Sequence, residues 1–571
     1  MKSRGGHSTW RKIVYGGVLA LAIIALLAMR PGSESRDVGE FLPREIRGEA
    51  NRVVKEIVEE SHAINSKIDH IVSLPDNEFL FIVSRSSARD ERIVKDLAKG
   101  HCYLRFPSGP RPIAARIVDN LRGDGGRRMI RCRAIDQQLP LQSPLVATAQ
   151  IQSSDGKITL GSRGRSLELV NWNRIVFAAL AREEDLVLFT KGIFSVKKET
   201  PPKRARCVFY TDNGVAVTYT RVLGLAQEII RCEYPPGQGR SRGSLVSVVP
   251  GEGTGGDAAA PSVAVYGGAA REGQSARPRH LLCACTMVHN AAKFLREWML
   301  YHSRLGIEKF VLYDNNSEDG LEEAAAELRN RDGLAVEIVP WPWIKSQEAG
   351  FSHCAASRRD ECQWMAFVDV DEFLFPKLWL HSGAKSTNAT GTVGSSPLAR
   401  AIAAATRNRS QMVGQISFHC RDFGPSGQAT HPTAGVTQGY TCRVVKEQRH
   451  KSLVRLEAVD RGLVNVVHHF TLGQRYATAR MPSWKGVVNH YKFQAWDEFK
   501  QKFERRVSAY VSDWKEERNI KSQDRTPGLG SKADKPADWE RRFCEVQDTG
   551  LRDYILKTMA SPDKLELPWQ S

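Results

Sequence analysis

A chain of 571 residues exceeds what one hydrophobic core usually organises, so two or more folded units are expected. An apolar fraction of 41% beside 26% charged residues excludes a largely disordered or fibrous protein. The formal charge of +18 favours anionic partners, yet no basic motif interleaved with aromatics is present, so nucleic acid is not expected among them.

Residues 1–12 read as a cytosolic tail, because Lys2, Arg4, Arg11 and Lys12 precede an uncharged apolar run, Ile13 to Met29, long enough to span a bilayer core once. Met29, Arg30 and Pro31 make a poor signal-peptide cleavage site, which favours an anchor over a cleaved leader. Either way the body enters the secretory pathway, where disulfides form and the sequons at Asn315, Asn388 and Asn408 meet glycosylation. Residues 30–75 read as a stem, with helix formers between Arg44 and Asp69; a helix packed on the next domain fits equally.

Residues 76–250 change to short β-branched and aromatic runs (FLFIVS, LVLFT, CVFYT, VAVTYT), which predicts a β-rich, sandwich-like accessory domain. Cys102 and Cys132, then Cys207 and Cys232, fall at similar spacing, each second cysteine closing an apolar-apolar-Arg-Cys tetrad (MIRC, IIRC). One disulfide within each pair and a weak internal duplication are expected. Such a module suits carbohydrate binding, and a spacer equally. Gly, Ala, Ser and Pro dominate Pro235 to Arg279, and we place a domain linker at 251–279.

From 280 to 571 the pattern becomes strand, helix, strand. The apolar run His280 to Val288 is followed by Asn290 as N-cap and by a helical stripe through Phe294, Leu295, Trp298, His302 and Leu305. Lys309 to Tyr313 and Leu334 to Val339 read as further strands, Lys345 to Cys362 as a helix, and Trp364 to Val370 as a fourth strand running into Asp371 and Glu372. This alternation predicts a mostly parallel, Rossmann-like α/β sheet with its ligand site at the carboxyl ends of the strands, where Asp314, Asp369 and Asp371 fall. Two hard oxygen donors there suit Mg²⁺ or Mn²⁺ on a diphosphate. An aspartyl-phosphate phosphatase also uses a D-x-D, but places it on the first strand and follows it differently.

Several segments in order, CTMVHNAAKFLREWMLYHSRLGIEKFVLYDNNSEDG, WPWIKSQEAGFSHC, WMAFVDVDEFLF, KSLVRLEAV, VHHF and NHYKFQAWDEFKQKFERRV, resemble the plant members of glycosyltransferase family 92, related to galactan synthases. The resemblance implies a GT-A catalytic fold, an inverting single displacement, a nucleotide-sugar donor such as UDP-galactose, a glycan or cell-wall polysaccharide acceptor, and a single-pass type II Golgi membrane protein with a lumenal catalytic domain. A homodimer is left open. A membrane-tethered carbohydrate-binding protein with an inactive catalytic fold is the non-enzymatic alternative.

Glycosyl transfer needs a nucleotide pocket, charge stabilisation and a base. Thr286, Val288, Asn290, Asp314 and Asn316 are assigned to the nucleoside. Asp371 is assigned to the metal, Asp369 to ribose or a metal-bound water, and His490, ahead of His468 and His469, to a third ligand position. Lys451 and Arg455 are assigned to the diphosphate, and Asp422, then Glu457, to the general base. Trp341, Trp343 and Trp364 are possible sugar platforms. Among the remaining cysteines, Cys354 and Cys362 form a potential helical pair.

Overall fold

In the computed structural model the described residues lie between 67 and 570, outside which fall 1–66, 84–99, 136–145, 236–243, 252–257, 267–277, 381–395, 503–534 and shorter turns. The apolar run 13–29, the stem to residue 66 and the sequons at Asn388 and Asn408 therefore lie outside the description. No helix among the described residues is long and apolar enough to cross a membrane. Residues Asn65–Ser571 form one compact unit.

The β-rich half is two closed sheets in succession, which corrects the sandwich expectation. The first contains β1 (Ile68–Ser73), β2 (Glu78–Val83), β3 (His101–Arg105), β4 (Ile113–Arg122), β5 (Arg128–Ala134), β6 (Val146–Gln152), β7 (Thr159–Gly161) and β8 (Leu167–Asn171). Going round it, β1 pairs β2, β2 pairs β5, then β4, β3, β6 and β8 follow, and β8 closes in parallel on β1. The second contains β9 (Ile175–Ala181), β10 (Leu186–Lys191), β11 (Arg206–Tyr210), β12 (Ala216–Ala226), β13 (Ile229–Cys232), β14 (Ser244–Val249) and β15 (Val265–Tyr266). It winds identically, from β9 through β10, β13, β12, β11, β14 and β15, and a parallel bridge from Val176 to Ser262 closes it. Closure removes the open edges on which strands aggregate.

The duplication extends to chemistry. Cys102 on β3 is bonded to Cys132 on β5, and Cys207 on β11 to Cys232 on β13, so each bridge ties the third strand of its copy to the fifth. The arginine before the second cysteine pairs, in both copies, with an acid at the start of the second strand: Arg131 with Glu78 at 3.0 Å and Arg231 with Asp185 at 2.7 Å. Part of the expected linker belongs to the second copy, because the short apolar segment around Val263 and Ala264 inserts into its core and β15 pairs β14.

The C-terminal half is built on a nine-stranded sheet. Its first part follows the alternation read from sequence: β16 (His280–Val288), α1 (Ala292–Leu305), β17 (Lys309–Asp314), α2 (Leu321–Asn330), β18 (Ala335–Pro340), α3 (Gln347–Ser357) and β19 (Cys362–Phe367). These four strands are parallel, in the order β18, β17, β16, β19. Beyond β19 the sheet becomes mixed, with β20 (Glu372–Phe375), β21 (Met412–Asp422), β23 (Gln448–Arg455), β24 (Tyr476–Met481) and β25 (Val487–His490); β22 (Cys442–Arg443) stands apart in a two-stranded ladder. Cys283 is bonded to Cys362 and Cys285 to Cys354, fastening β16 to β19 and α3, so the helical pair Cys354 with Cys362 is not formed. Cys442 is bonded to Cys544, and Cys420 is free and buried.

One hydrophobic cluster spans both halves. Phe177 of β9 and Phe189 of β10 pack on Trp341, with ring centroids 5.5 and 6.1 Å apart, and Phe177 stacks on Trp343 at 4.9 Å. Trp341, Trp343 and Trp364 are 2%, 6% and 3% exposed, so they are core and interface residues and offer no ring face to a sugar. The Asn315 amide donates to the Trp341 and Trp343 carbonyls, which commits this sequon side chain to the fold.

Two expectations follow. Phe189→Ala should cost about 3–5 kcal/mol, because it empties a fully buried aromatic site in the shared cluster; urea unfolding followed by fluorescence and by far-ultraviolet dichroism should show both halves losing stability together. Glu297, buried on α1, accepts bonds from the Val436 and Thr437 amides and the Thr437 hydroxyl, and burial raises its pKa from 4.5 to about 7. The native state therefore holds a proton that the unfolded chain has released across this window. The stability linked to Glu297 is complete below about 4.5, declines as pH rises towards 7, and is level above that. Glu297→Gln should remove that slope in urea titrations at stepped pH.

Candidate active site

Parallel strands β17, β16 and β19 deliver their carboxyl ends to one edge of the sheet, the position at which open α/β sheets bind ligands. Two groups of polar residues collect there. In the first, Asp314 accepts the Ser317 amide at 2.9 Å and closes its own turn, with Asn316 in the left-handed region at φ 66°. Asn290, at φ 50°, donates its amide to the Ser317 hydroxyl and accepts the Glu318 amide at 2.7 Å. Asp319 accepts the Ala292 amide at 2.7 Å and so caps α1; Asn290, expected as the cap, ties the two loops instead. Burial raises the pKa of Asp314 above its ordinary value.

The second group is set by register. Glu372 opens β20 opposite His490, the last residue of β25, and His490 stands beside Asp422, the last residue of β21. Three adjacent strands thus place carboxylate, imidazole and carboxylate abreast. His490 Nδ1 lies 3.0 Å from Asp422 Oδ1, and its Nε2 lies 3.2 Å from Asp371 Oδ2 and 3.8 Å from Glu372 Oε1. Lys492 holds the other Asp422 oxygen at 3.2 Å, and Lys502 pairs with Asp371. Glu372, fully buried, accepts the Asp369 amide at 2.9 Å and is met by Lys451 Nζ at 2.6 Å. His468 is oriented by the Phe367 carbonyl at 2.9 Å and brings Nε2 to 3.5 Å from Asp369.

Burial pushes the pKa of Asp369, Asp371 and Asp422 upward, and the neighbouring cations reverse it. His468 and Lys451 hold Asp369 below the usual carboxylate range, and Lys502 and His490 hold Asp371 well below it. Asp422 is lowered to about 2 against its own burial by His490 and Lys492. Burial would lower His490, but Asp371 and Asp422 raise it above its ordinary value. Near neutral pH these three aspartates are charged.

The structure thus brings together Asp369, Asp371, Lys451, Asp422, His468 and His490, with Asn290, Asp314 and Asn316 on the adjoining loops. It separates others. Thr286 and Val288 are 0% and 1% exposed and face the core of the sheet, so they present no surface to a nucleoside. Arg455 pairs with Glu457 at 2.8 Å, and Tyr476 also binds Glu457. In the β19–β23 ladder Ser452 lies opposite Phe367 while Arg455 lies opposite Trp364, so β23 carries Arg455 and Glu457 away from the aspartates by roughly 10 Å or more. Neither stands at a diphosphate or acceptor position. Both Asp422 oxygens are committed and its pKa is low, which makes it a positioning group for His490 and a poor base. His469 uses its two nitrogens on Ser452 and the His450 carbonyl. Lys451 supports Glu372 from a buried position, which leaves it no free reach to a diphosphate.

Sequence reasoning passed over Glu372, Lys492 and Lys502. Glu372 had a signal in its place directly after Asp371, and Lys492 in its spacing from His490; Lys502 had none. Two sets of donor atoms lie within 4.8 Å of one another, Asp369 with Glu372 and His468, and Asp371 with Glu372 and His490. Lys451 lies against Asp369 and the shared Glu372, and Lys502 against Asp371 of the second set. The second offers two carboxylates and an imidazole whose other nitrogen is fixed by a carboxylate, a donor set that fits Mn²⁺ and accommodates Mg²⁺ less well.

Residues 279–525 match the family model for glycosyltransferase family 92. A glycosyltransferase family 92 protein of Ricinus communis is 44% identical, over 70% of this chain and 70% of its own length. One of Arabidopsis thaliana is 39% identical over 78% and 76%, and one of Oryza sativa subsp. japonica is 35% identical over 88% and 82%.

Lys451→Met leaves Glu372 buried without its cation, and should destabilise the chain by about 3–5 kcal/mol. Urea unfolding at pH 7 measures this, and adding Glu372→Gln to the same chain should recover part of the loss.

Proposed function

Since this chain belongs to glycosyltransferase family 92, we propose that it moves a hexosyl group, with galactose from UDP-galactose as the first candidate, onto a glycan or cell-wall polysaccharide by an inverting, metal-dependent displacement. The observation that carries this is the convergence of Asp371, Glu372 and His490 at the carboxyl ends of the parallel strands. These three would hold the metal, and bound there it would neutralise charge on the departing nucleotide diphosphate. The GT-A reading of the sheet is supported by the parallel order β18, β17, β16, β19 and by the site lying at its carboxyl edge.

The residues divide the work. Asp422 and Lys492 fix the His490 ring, so that Nε2 points at Asp371 and Glu372. Lys451 pairs with the buried Glu372, and Glu372 in turn grips the Asp369 amide, which sets the turn carrying both aspartates. Asn290, Asp314 and Asp319 hold the neighbouring loops in shape beside the nucleotide position. In the transfer the acceptor hydroxyl oxygen bonds the anomeric carbon, the bond to the diphosphate breaks with its electron pair, and the hydroxyl proton passes to a base. Five disulfides support a secretory location, and the run Ile13 to Met29 with its basic flank supports a type II Golgi anchor.

Purified protein should release nucleotide diphosphate from one member of a donor panel when Mn²⁺ is supplied, and chelator should stop it. Asp371→Asn should abolish release, and Asp422→Asn should raise the Mn²⁺ concentration for half-maximal rate by roughly 10–100-fold. A chain that turns over no donor, or one indifferent to chelator, contradicts the proposal.

A further inference from the structure

Each β copy makes polar contacts with a different loop of the C-terminal half. In the first, Arg131 Nη1 bonds both Glu78 oxygens, at 3.2 and 3.0 Å, and crosses to Glu318 Oε1 at 2.9 Å; Arg133 bonds Glu318 as well. Glu318 belongs to the loop shaped by Asp314, Ser317 and Asn290 on the donor side of the sheet. In the second copy, Asp185 holds Arg182 and Arg231, and Arg182 reaches the Arg461 carbonyl at 3.0 Å. Gln227, in the β12–β13 turn, donates to the Asn465 carbonyl at 2.6 Å. Asn465 is 1% exposed, and its amide is bonded to the Glu348 carbonyl and the Ser352 hydroxyl.

Two residues beyond Asn465 the backbone is strained. Val467, β-branched, sits in the left-handed region at φ 56°, and the following His468 donates its amide to the Val466 carbonyl at 2.7 Å. Such a conformation persists only when the surroundings over-determine it, and its product is the aim of His468 at Asp369. A side chain reaching over from the second β copy is among the surroundings that do so.

We infer that the duplicated β module is a positioning brace for the transfer site, its first copy fixing the donor-side loop through Glu318 and its second fixing the His468 segment through Gln227. The inference rests on the functional reading above and extends it. A spacer needs no ion pair that is 3% exposed on the arginine side and shared between the halves; here Arg131 is desolvated with one acid from each. Glu318 and Gln227 are positioning residues, each acting through the loop it holds.

Both can be truncated without opening the core, since the Glu318 side chain is 36% exposed and Gln227 lies in a turn. The test uses the full-length chain in detergent. Glu318→Ala should raise the donor KM about tenfold with kcat within about twofold, whereas Gln227→Ala should lower kcat about tenfold and leave the donor KM within about twofold. Hydrogen exchange needs no substrate: amides 315–320 should exchange at least about tenfold faster in the first variant only, and amides 464–469 in the second only. Unchanged protection in both variants, or the same mixed loss of KM and kcat in both, overturns the brace. Local loosening as described, in a chain that turns over no donor, upholds the brace and overturns the transferase reading instead.

Discussion

Four carboxylates, Asp369, Asp371, Glu372 and Asp422, are crowded at the end of one sheet, and each is half-buried or more deeply enclosed. Carboxylates so close raise one another's pKa, and burial adds to that. Left alone, the group would repel itself and drive the strands apart. Lys451, Lys492, Lys502, His468 and His490 reverse the balance, and each reaches a particular oxygen. The sheet is arranged to bring them there: β23 supplies Lys451, β25 supplies His490, and β21 sets Asp422 beside it. In the proposed reading this preorganised, charge-balanced cluster would offer Asp371, Glu372 and His490 to a divalent cation, and the cation in turn would meet a diphosphate.

The β-rich half is drawn into the same account. Its two copies repeat a winding, a disulfide position and an acid–arginine pair, but the contacts made by the repeated pair have diverged. In one copy the repeated arginine itself reaches the loop after β17; in the other a neighbouring arginine, Arg182, held by the same acid, reaches the Arg461 carbonyl ahead of His468. The shared aromatic cluster of Phe177, Phe189, Trp341 and Trp343 makes the two halves one packed body, so these polar contacts act between surfaces already held in place.

Much of the parallel half of the sheet was legible in the sequence, because apolar strand runs alternate with amphipathic helical stripes and such periodicity is local. The position of Asp369 and Asp371 after the fourth such strand was legible for the same reason. What failed depends on pairing between distant segments. Closure of the β sheets rests on β1 meeting β8 and Val176 meeting Ser262, contacts that leave no trace in neighbouring residues. The composition around Val263 resembles a linker, yet a few apolar residues suffice to enter a core. Asp422 is an acid at a strand end, and only the ladder reveals that β25 delivers His490 and Lys492 to both its oxygens. Arg455 and Glu457, polar and close to Lys451 in sequence, are carried off by the direction of β23. Trp341 and Trp343, just past a strand end, proved to be the junction between halves, while Trp364 belongs to the core of the C-terminal half.

The central claim is that Asp371, Glu372 and His490 form a cation site whose imidazole is fixed by Asp422. Pulsed electron paramagnetic resonance of Mn²⁺ added to the protein with UDP tests it most directly. The account predicts one bound Mn²⁺ with a nitrogen coupling that disappears in His490→Gln. A Mn²⁺ spectrum indistinguishable from the free aqueous ion, or a nitrogen coupling that survives His490→Gln, would contradict it.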